Sequence, residues 1–165
     1  DISRIESGRA AVKLVPTELT ALVKTTIERF RPHAERDAIL LRADTLPETP
    51  ILADRDQLQR ALGNVLHNAI KFSPKKGVVS IRAVAEDERV RIDVLDSGPG
   101  IPTPDLPRIF ERFFRGDPAR HGAGTGLGMA IAKHVVQAHG GEISIKNRPG
   151  GGTKVSLTLL RADIT

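Results

Sequence analysis

Cysteine, tryptophan and tyrosine are absent from these 165 residues, and methionine occurs once. Without cysteine there is neither a disulfide framework nor a thiolate metal site, and the redox compartment is left open. Five phenylalanines are the whole aromatic complement. That is too little for the stacking surfaces of a nucleic-acid binder, so nucleic acid is not an expected partner. No apolar run approaches the roughly 20 residues needed to cross a bilayer, and no signal-peptide pattern opens the chain. The first residue is Asp1 rather than methionine, so the chain is expected to be a piece of a longer protein.

What is present describes one soluble domain. A hydrophobic fraction of 39% with 27% charged residues is ordinary for a globular protein, and the length suffices for one proper core. The net charge is +5, which suits either a solvated basic surface or an anionic ligand.

Along the chain, "DISRIESGR" (1–9) reads as the end of a polar helix breaking at Gly8. Pro16-Thr17-Glu18 is a helix start, with Leu19, Leu22, Val23, Ile27 and Phe30 at helical spacing and Pro32 ending or bending the helix. "AILLRA" (38–43) and "PILAD" (50–54) read as short strands flanking a proline-bearing turn. Asp54 then caps a second helix with Leu58, Leu62, Val65, Leu66 and Ala69 as its apolar stripe. "VVSIRAVAED" and "RVRIDVLD" alternate with period two across a charged turn and form a hairpin. Residues 97–128 are interrupted repeatedly by Gly and Pro around one apolar island, "RIFERFF" (108–114). So long a loop in a compact domain is usually functional. A third helix runs from about Leu127 to His139, with Leu127, Ile131, Val135 and Ala138 on one face. "EISIKN" and "KVSLTLL" close the chain as a hairpin around "RPGGGT". The expected class is α+β, a two-layer sandwich of a mainly antiparallel mixed sheet with three helices on one face.

The stretch "GAGTGLG" (122–128) has glycine at every second position. A dinucleotide fingerprint needs Gly-x-Gly-x-x-Gly, but frames opening at Gly122, Gly124 and Gly126 end on Leu127, Met129 and Ile131. The Walker pattern fails too, since no glycine here is followed five residues later by Gly-Lys. What remains is either a flexible connector or an anion nest whose N–H groups run into a helix start.

Asn64, His67, Asn68 and Lys71 lie at i, i+3, i+4 and i+7 of the second helix, opposite its apolar stripe. Amide oxygens are hard ligands suited to Mg²⁺ and a lysine one turn on can meet a phosphate, though a solvated polar face shows the same pattern. In "DVLDSGPGI" (93–101), Asp96 ends a strand before a Gly-Pro-Gly turn. Such a carboxylate either caps the turn or accepts a hydrogen bond from an adenine amino group, with Gly98 and Gly100 letting a flat ring lie on the backbone.

In this order the motifs resemble the catalytic, ATP-binding domain of bacterial sensor histidine kinases, members of the GHKL superfamily with the Bergerat fold. "NVLHNAIKFS" (64–73) resembles the asparagine box, "DSGPGI" (96–101) the first glycine box and "IFERFFR" (109–115) the phenylalanine box. "GAGTGLGMAIAKHVVQAHGG" (122–141) resembles the second glycine box and "GGGT" (150–153) the last. The resemblance covers residues 16–162, with an ATP lid over about 102–125. Residues 1–15 resemble the end of the dimerisation and phosphoacceptor domain plus a linker.

The resemblance implies Asn68 as Mg²⁺ ligand, with Asn64 additional to it or behind it. It implies Lys71 on phosphate, Phe72 at the ribose and phosphate edge, and Asp96 on adenine beside Gly98, Gly100 and Ile101. Arg115 reaches the γ-phosphate from the lid; Gly124, Thr125, Gly126, Leu127 and Gly128 line the phosphates with backbone N–H groups; Thr153 assists Asp96. ATP-hydrolysing relatives carry a glutamate base where Asn64 stands, so Asn64 favours transfer of phosphate over hydrolysis. Asn64, Lys71 and Arg115 are thus the catalytic set, with ATP and Mg²⁺ as cofactors.

The implied function is transfer of the γ-phosphate to a histidine on a separate phosphoacceptor domain, with a response regulator receiver domain as onward partner. The parent is expected to be a homodimer working in the cytoplasm, either free or anchored to a membrane, and this fragment a monomer. None of the five histidines (33, 67, 121, 134, 139) stands in a phosphoacceptor context. The competing reading is a non-catalytic nucleotide-binding or scaffold module of the same superfamily.

Overall fold

A computed structural model describes residues 11–112 and 127–163. Among these, three α-helices and seven strands follow the order β1 (Val15–Thr17), α1 (Leu19–Arg36), β2 (Leu40–Ala43), β3 (Ile51–Ala53), α2 (Arg55–Phe72), β4 (Val78–Ala85), β5 (Arg89–Leu95), α3 (Gly128–Ala138), β6 (Glu142–Asn147) and β7 (Thr153–Leu160). A 3-10 helix, Thr103–Arg108, lies between β5 and α3.

Five strands form the main sheet in the order β2-β4-β5-β7-β6. β2 runs parallel to β4 and the other pairs are antiparallel. Period-two alternation sends Val79, Ile81, Val90, Ile92, Val94, Val155, Leu157 and Leu159 into the core. All three helices cover that face, with α2 packed between α1 and α3. The opposite face is polar yet holds a fully buried carboxylate, Asp93, bracketed by Arg82 and Arg91 and by the Ser156 hydroxyl at 2.7 Å. Burial pushes the Asp93 pKa up, but the hydrogen bonds from Ser156, Arg82 and Arg91 outweigh it and hold the group below the usual carboxylate range.

The expected two-layer α+β sandwich is the one observed, with three local differences. Pro16 and Thr17 belong to β1, and α1 begins after Glu18. Pro32 does not end α1, which continues to Arg36. The helix runs through the proline because its whole face, Leu19, Leu22, Val23, Ile27 and Ala34, is buried, and the Ala34 carbonyl takes the Ile39 N–H at 2.8 Å. The strands expected at 38–43 and 50–54 are present as β2 and β3; β2 joins the main sheet, and β3 pairs with β1 in a separate two-stranded ribbon. On α3 the buried residues are Met129, Ala130, Ile131, Ala132, Val135 and Val136, while Ala138 is exposed and Leu127 half-buried.

Candidate functional site

Four elements meet at the C-terminal half of α2. The helix starts as its sequence requires, with the Asp54 carboxylate accepting the Gln57 N–H. Its apolar stripe is buried, which turns Asn64, Asn68 and Lys71 to the other side as half-buried residues and leaves His67 exposed. The Asn64 amide nitrogen donates to the Gly128 carbonyl at 3.1 Å, tying α2 to the first turn of α3. That turn has no side-chain cap, so its N–H groups are of the kind that bind anions.

Asp96 follows the last residue of β5 and is almost fully buried. One carboxylate oxygen accepts the N–H groups of Gly98 at 2.9 Å and Thr153 at 3.0 Å. The other accepts the Thr153 hydroxyl directly. The loop after Asp96 is pinned to the end of α2 by the Ser97 N–H on Ser73 Oγ, and to the start of β4 by exchange between Ser97 Oγ and the backbone of Val78.

The glycines of this loop have a reason of their own within the protein, besides the one read in the sequence. A Cβ on Gly98 would stand 2.6 Å from the Phe72 carbonyl oxygen, and one on Gly100, at φ +85°, 2.9 Å from Asn147 Oδ1. Their close approaches are to the protein itself. The third glycine box behaves likewise, since a Cβ on Gly152 would collide with the Asp96 carbonyl.

Asn64, Asn68, Lys71, Phe72, Asp96, Gly98, Gly100, Ile101, Leu127, Gly128 and Thr153 therefore lie on elements joined by these contacts. Arg115, Gly124, Thr125 and Gly126 lie outside the described residues, as does most of the expected lid. The described start of the lid docks as its apolar island suggests: Ile109 is buried, and Phe110 packs on the core beneath Lys133, 6.0 Å from the ring centroid. Phe113 and Phe114 lie outside the described residues.

Asn147, Arg148 and His139 are additions that sequence reasoning did not find. Asn147 holds the backbone of Ile101, and the Arg148 guanidinium donates to the Asp96 carbonyl at 2.6 Å. His139, just past the last residue of α3, is fully buried. Their partners lie 46 to 85 positions away in the chain, so no local pattern announces them. Beside the site, His67 stands 6.3 Å from both His33 and Phe30 between ring centroids. Partial desolvation, then the Lys71 charge and His33, lower its pKa from the ordinary histidine value. A separate cavity of about 410 Å³, between Pro16–Thr20 and Pro47–Pro50, contains none of the predicted site residues.

The family of histidine kinase-, DNA gyrase B- and HSP90-like ATPases has a model that matches residues 53–163. The chain belongs to that family. Within it, this GHKL domain is similar to the sensor-like histidine kinase SenX3 of Mycobacterium tuberculosis, at 37% identity over 161 residues. The match takes in 96% of this chain and 39% of SenX3, so the domain spans well under half of that relative. Among solved structures, the mycobacterial sensor histidine kinase MprB superposes with a TM-score of 0.80 at 33% identity, covering 90% of this chain and 97% of that one. Full-length ShkA, in complex with AMPPNP, gives 0.83 at 32% identity over 99% of this chain and 34% of its own. The GHKL domain thus has the fold of histidine kinase catalytic domains, and ATP is the ligand class of its family. Among the described residues, no helix is long and apolar enough to cross a membrane.

Proposed function

We propose that this domain binds Mg-ATP and passes its γ-phosphate to a histidine on a separate phosphoacceptor domain. The observation that carries the reading is the buried Asp96 carboxylate, fixed by Gly98 and Thr153 on a loop pinned to the end of the asparagine-bearing helix. A fixed acceptor suits the adenine amino group and repels a guanine carbonyl. Lys71 and the N–H groups opening α3 suit the phosphates, and Arg115 acts on the γ-phosphate.

The donor set fits magnesium. Among the described residues, no three His, Cys, Asp or Glu side chains cluster to hold a metal. An ion here would rest on the amide oxygen of Asn68, with Asn64 beside it, completed by phosphate and water oxygens. Asn64 spends its amide nitrogen on the Gly128 carbonyl, which leaves its oxygen for that role. Magnesium supplies charge neutralisation at the phosphates when bound.

Asn64 also separates transfer from hydrolysis. A carboxylate at this position would face the Gly128 carbonyl with no proton to donate, whereas the amide bonds it. An amide is no base for water, so the phosphate awaits an acceptor delivered by protein. The acceptor is the histidine of a dimerisation domain of the parent kinase, a homodimer whose catalytic part lies in the cytoplasm. A receiver domain then takes the phosphoryl group.

Mixing this chain with a separately made phosphoacceptor domain and γ-labelled ATP tests the reading. Acid-labile label should appear on the acceptor histidine with the parent chain and fall at least about a hundredfold with Asn68→Ala, as for loss of one group that stabilises transferring phosphate. Near-normal transfer by Asn68→Ala at saturating Mg²⁺ would overturn the metal role. A parent chain that binds ATP but never labels the acceptor would be the non-catalytic module instead.

A further inference from the structure

Between β5 and the 3-10 helix, the segment Asp96–Ile101 carries the base-reading carboxylate at one end and leads into the lid at the other. Both ends are held by the turn end of the β6–β7 hairpin. The Asn147 side chain accepts the Ile101 N–H and donates to the Ile101 carbonyl, each at 2.8 Å, pairing with that backbone as a neighbouring strand would. Arg148 donates to the Asp96 carbonyl at 2.6 Å, and Thr153 on the returning strand takes the Asp96 side chain. The hairpin end is itself closed by Arg148 N–H to the Gly152 carbonyl at 2.8 Å. Asn147 is exposed at the last position of β6, so burial does not account for its presence. Its amide also occupies the space where a Cβ of residue 100 would stand, which couples Gly100 to it.

We propose that Asn147 and Arg148 are positioning residues for the nucleotide base. By fixing the backbone at both ends of Asp96–Ile101, they hold the carboxylate where it meets an adenine amino group. This rests on the adenine-reading role given to Asp96 above. A hydrogen bond weakens steeply once its angle or distance drifts, so loosening the segment removes the bond that adenine makes. Guanine, with a carbonyl at that place, has no such bond to lose. A general loss of structure would weaken ATP and GTP together; loss of positioning weakens ATP alone.

Calorimetric titration of ATP and GTP into the parent chain, Asn147→Ala, Arg148→Ala and Arg148→Lys separates the two. Both alanine variants should bind ATP about tenfold more weakly, with GTP changed less than about twofold, as for a bond lost to one base only. Arg148→Lys keeps a donor and should keep most of the ATP preference. Circular dichroism and urea midpoints identify any variant that has lost its fold, and the exposure of Asn147 makes its truncation the mildest of the set. ATP and GTP weakened by one common factor, or a parent-like preference in both alanine variants, would overturn the inference. A parent chain with no preference for ATP would remove the adenine role of Asp96, and this inference with it.

Discussion

His67 sits one helical turn before Lys71, on the same polar side of α2 as the asparagines, and its imidazole senses what that surface carries. Its pKa is lowered from 6.5, first by desolvation, then by Lys71 and His33. As pH falls through 6.5, the unfolded chain therefore takes up the proton before the folded one does. Stability should decline below that pH and level off once the folded histidine is protonated too. Urea midpoints measured at about pH 7.5 and about pH 5.5 should differ less in His67→Gln than in the parent, since that residue's linkage is gone. Phosphates brought to Lys71 offset its charge, so the His67 titration followed by NMR should move to higher pH with ADP or ATP present. An unmoved midpoint would place the phosphates away from Lys71.

At the scale of elements, the question is how α2 and α3 are held in register, since both border the proposed phosphate site. Asn64 bridges them at one end through the Gly128 carbonyl. At the other end His139, the C-cap of α3, joins the N-cap of α2: its Nε2 accepts the Asp54 N–H at 3.0 Å. A backbone N–H can only donate and the Val135 carbonyl can only accept, so Nδ1, 2.8 Å from that carbonyl, carries the proton. The neutral Nδ1–H tautomer follows from the packing. His139→Phe fills similar space but leaves the Asp54 N–H and Val135 carbonyl without this partner, so stability should drop by about 1–3 kcal/mol in urea denaturation. A change below about 0.5 kcal/mol would mean that water or a neighbour replaces the imidazole at little cost.

Taken whole, the domain carries nucleotide-binding groups with neither a hydrolytic base at Asn64 nor a histidine in phosphoacceptor context. It should therefore bind ATP while releasing phosphate only slowly and taking no stable label itself. Single-turnover assays with γ-labelled ATP check both points. Acid-labile label on this chain alone would reveal an acceptor among its own histidines, and rapid phosphate release would reveal an ATPase.

The residues of the asparagine helix and of the first and last glycine boxes were legible because each motif is continuous in the chain. Helical period places Asn64, Asn68 and Lys71 together opposite an apolar stripe, and strand alternation brings Asp96 to a strand end, whatever the rest of the molecule does. The sandwich was legible for the same reason, since apolar faces written at period two and 3.6 leave few ways to be buried together. Which of those strands pair, and which distant side chains brace the site, are properties of the assembled core. β3 leaves the main sheet for a ribbon with β1. Asn147 and Arg148 reach Ile101 and Asp96 across the β6–β7 hairpin, and His139 reaches Asp54 from the far end of α3. A hydrogen bond between groups that are dozens of residues apart has no period in the sequence; it exists only once packing has brought its two ends within about 3 Å.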